Sequence, residues 1–269
     1  MTALSPGLPR WALPLAAAGL LVVAAPVLAL ASRAPWGNLP ALLTSGPALS
    51  ALGLSMTTAL AATALCLLLG VPAALVLART TGRLADILRA VMLVPLVLPP
   101  MVSGLALLLL LGRRGVLGQP LADLTGHTLP FTTPAVVVAQ TFVALPFLIV
   151  SAEGALRTSG QAYERTAASL GARPARVLRT VTLPLLAPAL RAGTVLCFAR
   201  ALGEFGATAL FAGNLPGVTQ TMPLAIYTAF NGSGVGQDVA VALSVLLVVV
   251  ALVLLVASGL VGRSGARHA

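Results

Sequence analysis

The feature that most narrows the fold of this chain is a set of six long runs almost free of charge, at residues 11–31, 50–78, 90–112, 131–152, 192–212 and 239–261. Five hold no charged residue, and 192–212 holds only Arg200 and Glu204. An α-helix crosses the roughly 30 Å hydrocarbon core of a bilayer in about 20 residues, so each run is long enough to span it. Charged residues make up 8% of the 269 positions and hydrophobic ones 58%, too little charge to cover a soluble domain of this size. The reading is an all-α polytopic membrane protein forming one transmembrane domain over 1–269. The first run follows Arg10 and resembles a secretory signal, but it is long for one, and Ser32-Arg33-Ala34-Pro35 makes a poor cleavage site. It is taken as a retained helix.

Charge then orients the spans. The net charge is +10, and all 16 basic residues are arginine. They lie between apolar runs rather than on one polar face, which speaks against nucleic acid and for lipid. With the N-terminus inside, the cytoplasmic set is Arg10, Arg79, Arg83, Arg89, Arg157, Arg165, Arg173, Arg176, Arg179, Arg191, Arg263 and Arg267, against Arg33, Arg113 and Arg114 outside. The excess of arginine in cytoplasmic loops places both termini in the cytoplasm. Proline recurs inside the runs (Pro14, Pro26, Pro72, Pro95, Pro99, Pro100, Pro146). In a bundle the carbonyls it frees find other partners. The Pro99-Pro100 pair is expected to kink the third span, and Pro95 to add to it. Cys66 and Cys197 fall within spans and read as small buried thiols rather than a disulfide framework.

The loop between the fourth and fifth runs, about 157–184, has its own pattern. Tyr163, Ala167, Leu170, Pro174, Val177, Leu178 and Val181 recur at three- and four-residue steps, with Glu164, Arg165, Arg173, Arg176 and Arg179 between them. This predicts a short amphipathic helix, a turn near Gly171 and a second short helix opened by Pro174. Such a pair either rests on anionic lipid headgroups or fits a groove on a soluble partner.

The stretch ERTAASLGARPARVLRTVTLP, residues 164–184, resembles the cytoplasmic loop of ABC-importer permeases. Ala167, Gly171, Val181, Leu183 and Pro184 keep that motif's spacing. Arg165 and Thr166 stand where Glu and the first Ala would be, with Glu164 one place early. Two further stretches, PLVLPPMVSGLALLLLLGRRG (95–115) and ALGEFGATALFAGNLPGVTQTMPLAIYTAF (201–230), are similar to molybdate permeases in particular, and more distantly to sulfate permeases. The resemblance implies the type I ABC importer (MetI-like) architecture, with six transmembrane helices and a coupling helix between spans 4 and 5. It implies a homodimer in the cytoplasmic membrane, two ABC ATPase subunits on the cytoplasmic side and an extracytoplasmic molybdate-binding protein. Sulfate or thiosulfate and tungstate are the alternative cargoes. An ion-coupled secondary transporter is the alternative of another class, but it leaves the cytoplasmic loop without a role.

The chemistry that is missing agrees with such a division of labour. A P-loop needs a lysine to reach the β- and γ-phosphates, and the sequence contains none. No enzymatic role and no cofactor or metal are expected on this chain, and ATP and magnesium would sit on the partner ATPase. Intramembrane hydrolysis would need a Ser–His pair, paired aspartates or a metal cluster. His127, His268, Asp86, Asp123 and Asp238 all fall outside the runs or at their ends. Within the fifth run Arg200 precedes Glu204 by four residues, so on one helix they pair and face the bundle interior. A bare carboxylate repels an oxyanion, which makes Glu204 no direct ligand. Neutral donors suit an oxyanion better. Thr208, Asn214, Thr219, Gln220 and Thr221 supply them around Gly203, Gly206, Gly213 and Gly217, either lining a path or merely capping the bundle.

Overall fold

The computed structural model describes residues 11–232 and 236–265, with the side chains at 255 and 257–265 left aside. Arg10, Arg267 and His268 lie outside the described residues, and Arg263 is placed by its backbone only. Among the described residues there is no strand. In chain order the helices are α1 (Ala12–Ser32), α2 (Leu39–Leu43), α3 (Gly46–Arg79), α4 (Arg83–Val97), α5 (Pro100–Leu111), α6 (Gly118–Thr125) and α7 (Thr133–Ser159). They continue as α8 (Ala162–Ser169), α9 (Pro174–Val177), a π-helical turn (Leu178–Thr182), α10 (Leu183–Leu202), α11 (Gly206–Phe211), α12 (Met222–Asn231) and α13 (Gln237–Gly265). Among the described residues, five helical stretches are long and apolar enough to cross a membrane, and α4 with α5 makes a sixth if that bent pair counts as one span.

The centre of the bundle is α3, α7 and α10. The buried face of α3 runs through Ala48, Ala51, Ser55, Ala59, Ala62, Cys66, Gly70, Ala74 and Leu77, small residues at three- and four-residue steps that let helix axes approach closely. A methyl group added at Gly70 would sit 3.0 Å from the Leu148 side chain, and one at Gly193 would sit 2.9 Å from Ser151. Cys66 and Cys197 are free thiols buried in this core. Helix α7 starts where Thr132 accepts a hydrogen bond from the Ala135 amide, with Pro134 in its first turn. It ends at Gly160, whose φ of 64° stops the helix. By contrast, no residue of α1 is buried.

Three departures from the sequence pattern have local causes. The third run bends where Pro99-Pro100 was expected to kink it, but by 116°, enough to divide it into α4 and α5. Consecutive prolines remove two amide donors and push the preceding residue out of the helical region, so Leu98 and Pro99 are extended and Pro100 opens a new helix. Helix α4 passes through Pro95 unbroken. The fifth run, expected over 192–212, instead forms a helix that begins at Leu183 and breaks at 203–205. Finally, 222–231 lies in the stretch expected to be an extracytoplasmic loop, yet it forms α12. Pro223 stands in that helix's first turn, and Met222, Leu224, Ala225 and Ala229 are buried.

Candidate functional site

The two ends of the bundle differ in chemistry. At one end, where α3 and α7 finish, lie Arg79, Arg83 and Arg89 together with the 160–184 hairpin and its arginines. At the other, where α7 begins, Thr133 donates a hydrogen bond to the Val218 carbonyl at 2.8 Å, and Arg113 and Arg114 face outward near Asp123 and His127.

The hairpin consists of α8, a turn at Gly171 (φ 82°), α9 and the π turn. Its apolar residues divide into two groups. Tyr163 and Leu170 are 65% and 83% exposed, whereas Val177 is buried and Val181 and Leu183 are half-buried. Glu164 holds the hairpin in place. Both of its carboxylate oxygens accept from Arg79 at the end of α3, at 3.2 Å, and Oε1 also accepts from the Thr182 hydroxyl. Arg165 reaches only back to Gln161, Ala167 is half-buried, and Pro184 sits in the first turn of α10. A cleft of about 440 Å³ opens between Arg79, Glu164, Arg165, Ala168 and Val177.

A second acid at this end, Glu153, is buried and was not singled out by the sequence pattern. It lies one residue beyond the run 131–152, is 7% exposed, and accepts from Arg89 Nη2 at 2.7 Å and Nε at 3.0 Å. Arg157 approaches it at 3.8 Å and Asp86 pairs with Arg89. This cluster anchors α4 to α7. An acid among arginines at a span end is a signal in itself, but a partner 64 positions away is not.

The break at 203–205 places an acid in the interior of the bundle. Glu204 is 1% exposed. One oxygen meets Arg200 Nη1 at 2.6 Å, and the other accepts the Ala207 amide at 2.8 Å. The pair is therefore made, but not along one continuous helix. Glu204 closes the end of α10 and caps the start of α11, which is the physical reason the chain breaks there. Gly206 is required next to it, because a methyl group there would lie 2.6 Å from Pro100. Thr208 is fully buried, with a hydroxyl that finds no partner. Gly203 is exposed.

Asn214, Thr219 and Gln220 lie elsewhere and are occupied with one another. Gln220 donates to Asn214 at 3.0 Å, Asn214 donates to Thr228 at 2.8 Å, and Thr219 accepts the Leu215 amide at 2.9 Å. The structure thus separates the expected path residues into a core group at the break (Arg200, Glu204, Gly206, Thr208) and a loop that ties the outer ends of α11 and α12 together.

Residues 66–264 match the family model described as binding-protein-dependent transport system inner membrane component. The chain is 54% identical, over 94% of both sequences, to the molybdenum transport system permease protein ModB of Mycobacterium tuberculosis. It is 37% identical to the protein of the same name from Escherichia coli K12, covering 85% of this chain and 99% of that one. Among solved structures, a chain of a bacterial alginate ABC transporter, crystallised with its pentasaccharide-bound periplasmic protein, superposes with a TM-score of 0.72. That match has 17% identity and covers 94% of this chain and 93% of that one.

Proposed function

Because the chain belongs to the family of binding-protein-dependent transport system inner membrane components, we propose that it carries molybdenum, as the molybdate dianion, into the cell. It acts as the transmembrane subunit of an ATP-driven importer. Two copies form the pathway, each with both termini in the cytoplasm. Two ATPase subunits, which hold the ATP and magnesium, sit beneath them, and an extracytoplasmic protein delivers the cargo. The chain itself performs no hydrolysis.

The observation that carries this reading is the cytoplasmic hairpin. Tyr163 and Leu170 stand exposed outside the bundle on a helix that Glu164 staples to α3 and to the π turn. A rigid element with an uncovered apolar tip suits a groove on a protein that moves, and it transmits that motion to α3 and α10, to which it is fixed. The cargo rests on the 54% identity to a molybdenum transport permease along 94% of both chains.

Uptake of labelled molybdate at nanomolar concentration, by cells with and without the gene, tests the assignment. Gene-dependent uptake that ignores excess sulfate and is blocked by tungstate supports it. Abolition by sulfate moves the cargo to sulfate. Absence of any gene-dependent oxyanion uptake, with the ATPase and binding protein present, overturns it.

A further inference from the structure

Five buried side-chain atoms among the described residues have no hydrogen-bond partner, and four of them belong to three residues on neighbouring helices: Ser103 Oγ, both amide atoms of Gln140, and Thr208 Oγ1. The three residues are 1%, 0% and 0% exposed. They come from α5, α7 and α11, which pack on one another. Their helical neighbours share one apolar cluster: Leu107 is four residues from Ser103, Val136 and Val143 flank Gln140 by four and three, and Phe211 is three from Thr208. A methyl group at Gly104 would sit 2.9 Å from the Ala207 carbonyl, so Ser103 and Thr208 flank a direct contact of two backbones. Both helices start just after a break, at Pro99 and at Phe205.

Native interiors rarely leave such groups unpaired, and hydrocarbon offers no water to satisfy them. An apolar residue of the same shape would serve packing better. Donors of this kind are available to bond to something else in another state of the molecule. All three side chains are uncharged and donate through hydroxyl and amide hydrogens. The nearby Glu204 is neutralised by Arg200 and turned towards the Ala207 amide. An uncharged donor set holds a dianion without binding it tightly, as a transport path requires.

We propose that Ser103, Gln140 and Thr208 form the intramembrane contact site for the transported tetrahedral oxyanion, sealed in this conformation, and that Gln140 is its principal donor. This rests on the oxyanion-import reading above.

The test uses the complete complex of permease, ATPase and binding protein in proteoliposomes, with labelled molybdate outside and ATP inside. The wild-type complex is read first. If it moves no oxyanion, the import reading itself fails, and this site with it. If it does, Gln140→Met, Ser103→Ala and Thr208→Val should each lower uptake at subsaturating molybdate by about tenfold or more, the worth of one good hydrogen bond. Their complexes should still assemble and should melt no lower than wild type. A residue that merely packs predicts unchanged uptake, and that result for Gln140→Met overturns the proposal. A second readout separates contact from shape. In a Cys66→Ser, Cys197→Ser background, molybdate should slow alkylation of Gln140→Cys during turnover. Loss of transport without such protection also overturns it.

Discussion

The 160–184 hairpin and the break at 203–205 are mirror images in their use of polarity. In the hairpin, apolar Tyr163 and Leu170 point away from the bundle while a carboxylate, Glu164, holds the segment from within. At the break, polar Glu204 and Thr208 are enclosed, as are Ser103 and Gln140 on the helices packed against α11, while the outer face of the bundle is rich in leucine and valine. In a membrane protein, exposed apolar surface is ordinary where lipid covers it and informative where lipid does not reach. Buried polar groups are costly everywhere in the bilayer and so are informative wherever they occur. Under the proposed function, the hairpin's exposed apolar tip meets a protein partner and the break's unpaired donors meet the cargo.

Substitutions can break this contrast. The largest effect is expected at the break. Glu204→Ala leaves Arg200 without its partner inside the bundle and uncaps α11, at a cost of about 3–5 kcal/mol. Thermal melting of the detergent-solubilised protein should show a loss of that order, and a variant as stable as wild type would show that Glu204 does not hold the break. At the hairpin tip the effect should appear in binding rather than in folding. Leu170→Asp should weaken ATPase co-purification by about 2–4 kcal/mol, roughly 30- to 1,000-fold, as at the centre of an interface. Its melting temperature should not move, because the side chain is 83% exposed. Gly171→Arg should act in the same direction, since φ there is 82° and a side chain strains the turn. Unchanged co-purification of both would remove the hairpin from the interface. The smallest effect belongs to Glu164→Gln. It gives up an exposed ion pair with Arg79, about 0.2–1 kcal/mol, and keeps an acceptor for Thr182. ATPase binding should persist while transport per ATP hydrolysed falls modestly, and an intact transport ratio would show that the staple is not part of coupling.

Much of the fold was legible because a bilayer imposes length and polarity on each span. The runs 50–78 and 131–152 lie within α3 and nearly within α7 for that reason. The breaks were harder to read. Pro99-Pro100 announced a discontinuity, but not that the chain would turn by 116°. Nothing in the hydropathy of 192–212 separates a continuous helix from one that stops at Leu202, because the stop depends on Glu204 turning to cap Ala207. Arg200 and Glu204 were readable as a pair from their spacing. Arg89 and Glu153 were not, since their pairing depends on how α4 lies across α7. Gln140 had a signal that went unused: it is the one amide side chain in the run 131–152, surrounded by Val, Ala and Thr. Its lack of a partner is a property of packing, which sequence does not state. The hairpin motif was visible in its spacing, but its division into an exposed tip and a buried root was not. Periodicity marks one apolar stripe without saying that the Gly171 turn sends its two halves in different directions.

Under the proposed function, this chain passes an oxyanion inward only when a partner ATPase, seated on the hairpin, drives it. The most direct measurement is labelled molybdate accumulation in proteoliposomes holding the chain and the ATPase, with the binding protein outside. ATP or ADP is enclosed, and a proton or sodium gradient is imposed separately. Accumulation that needs enclosed ATP and the external binding protein, and is indifferent to either gradient, is the predicted result. Accumulation driven by a gradient with ADP inside would contradict it and make the chain an ion-coupled carrier.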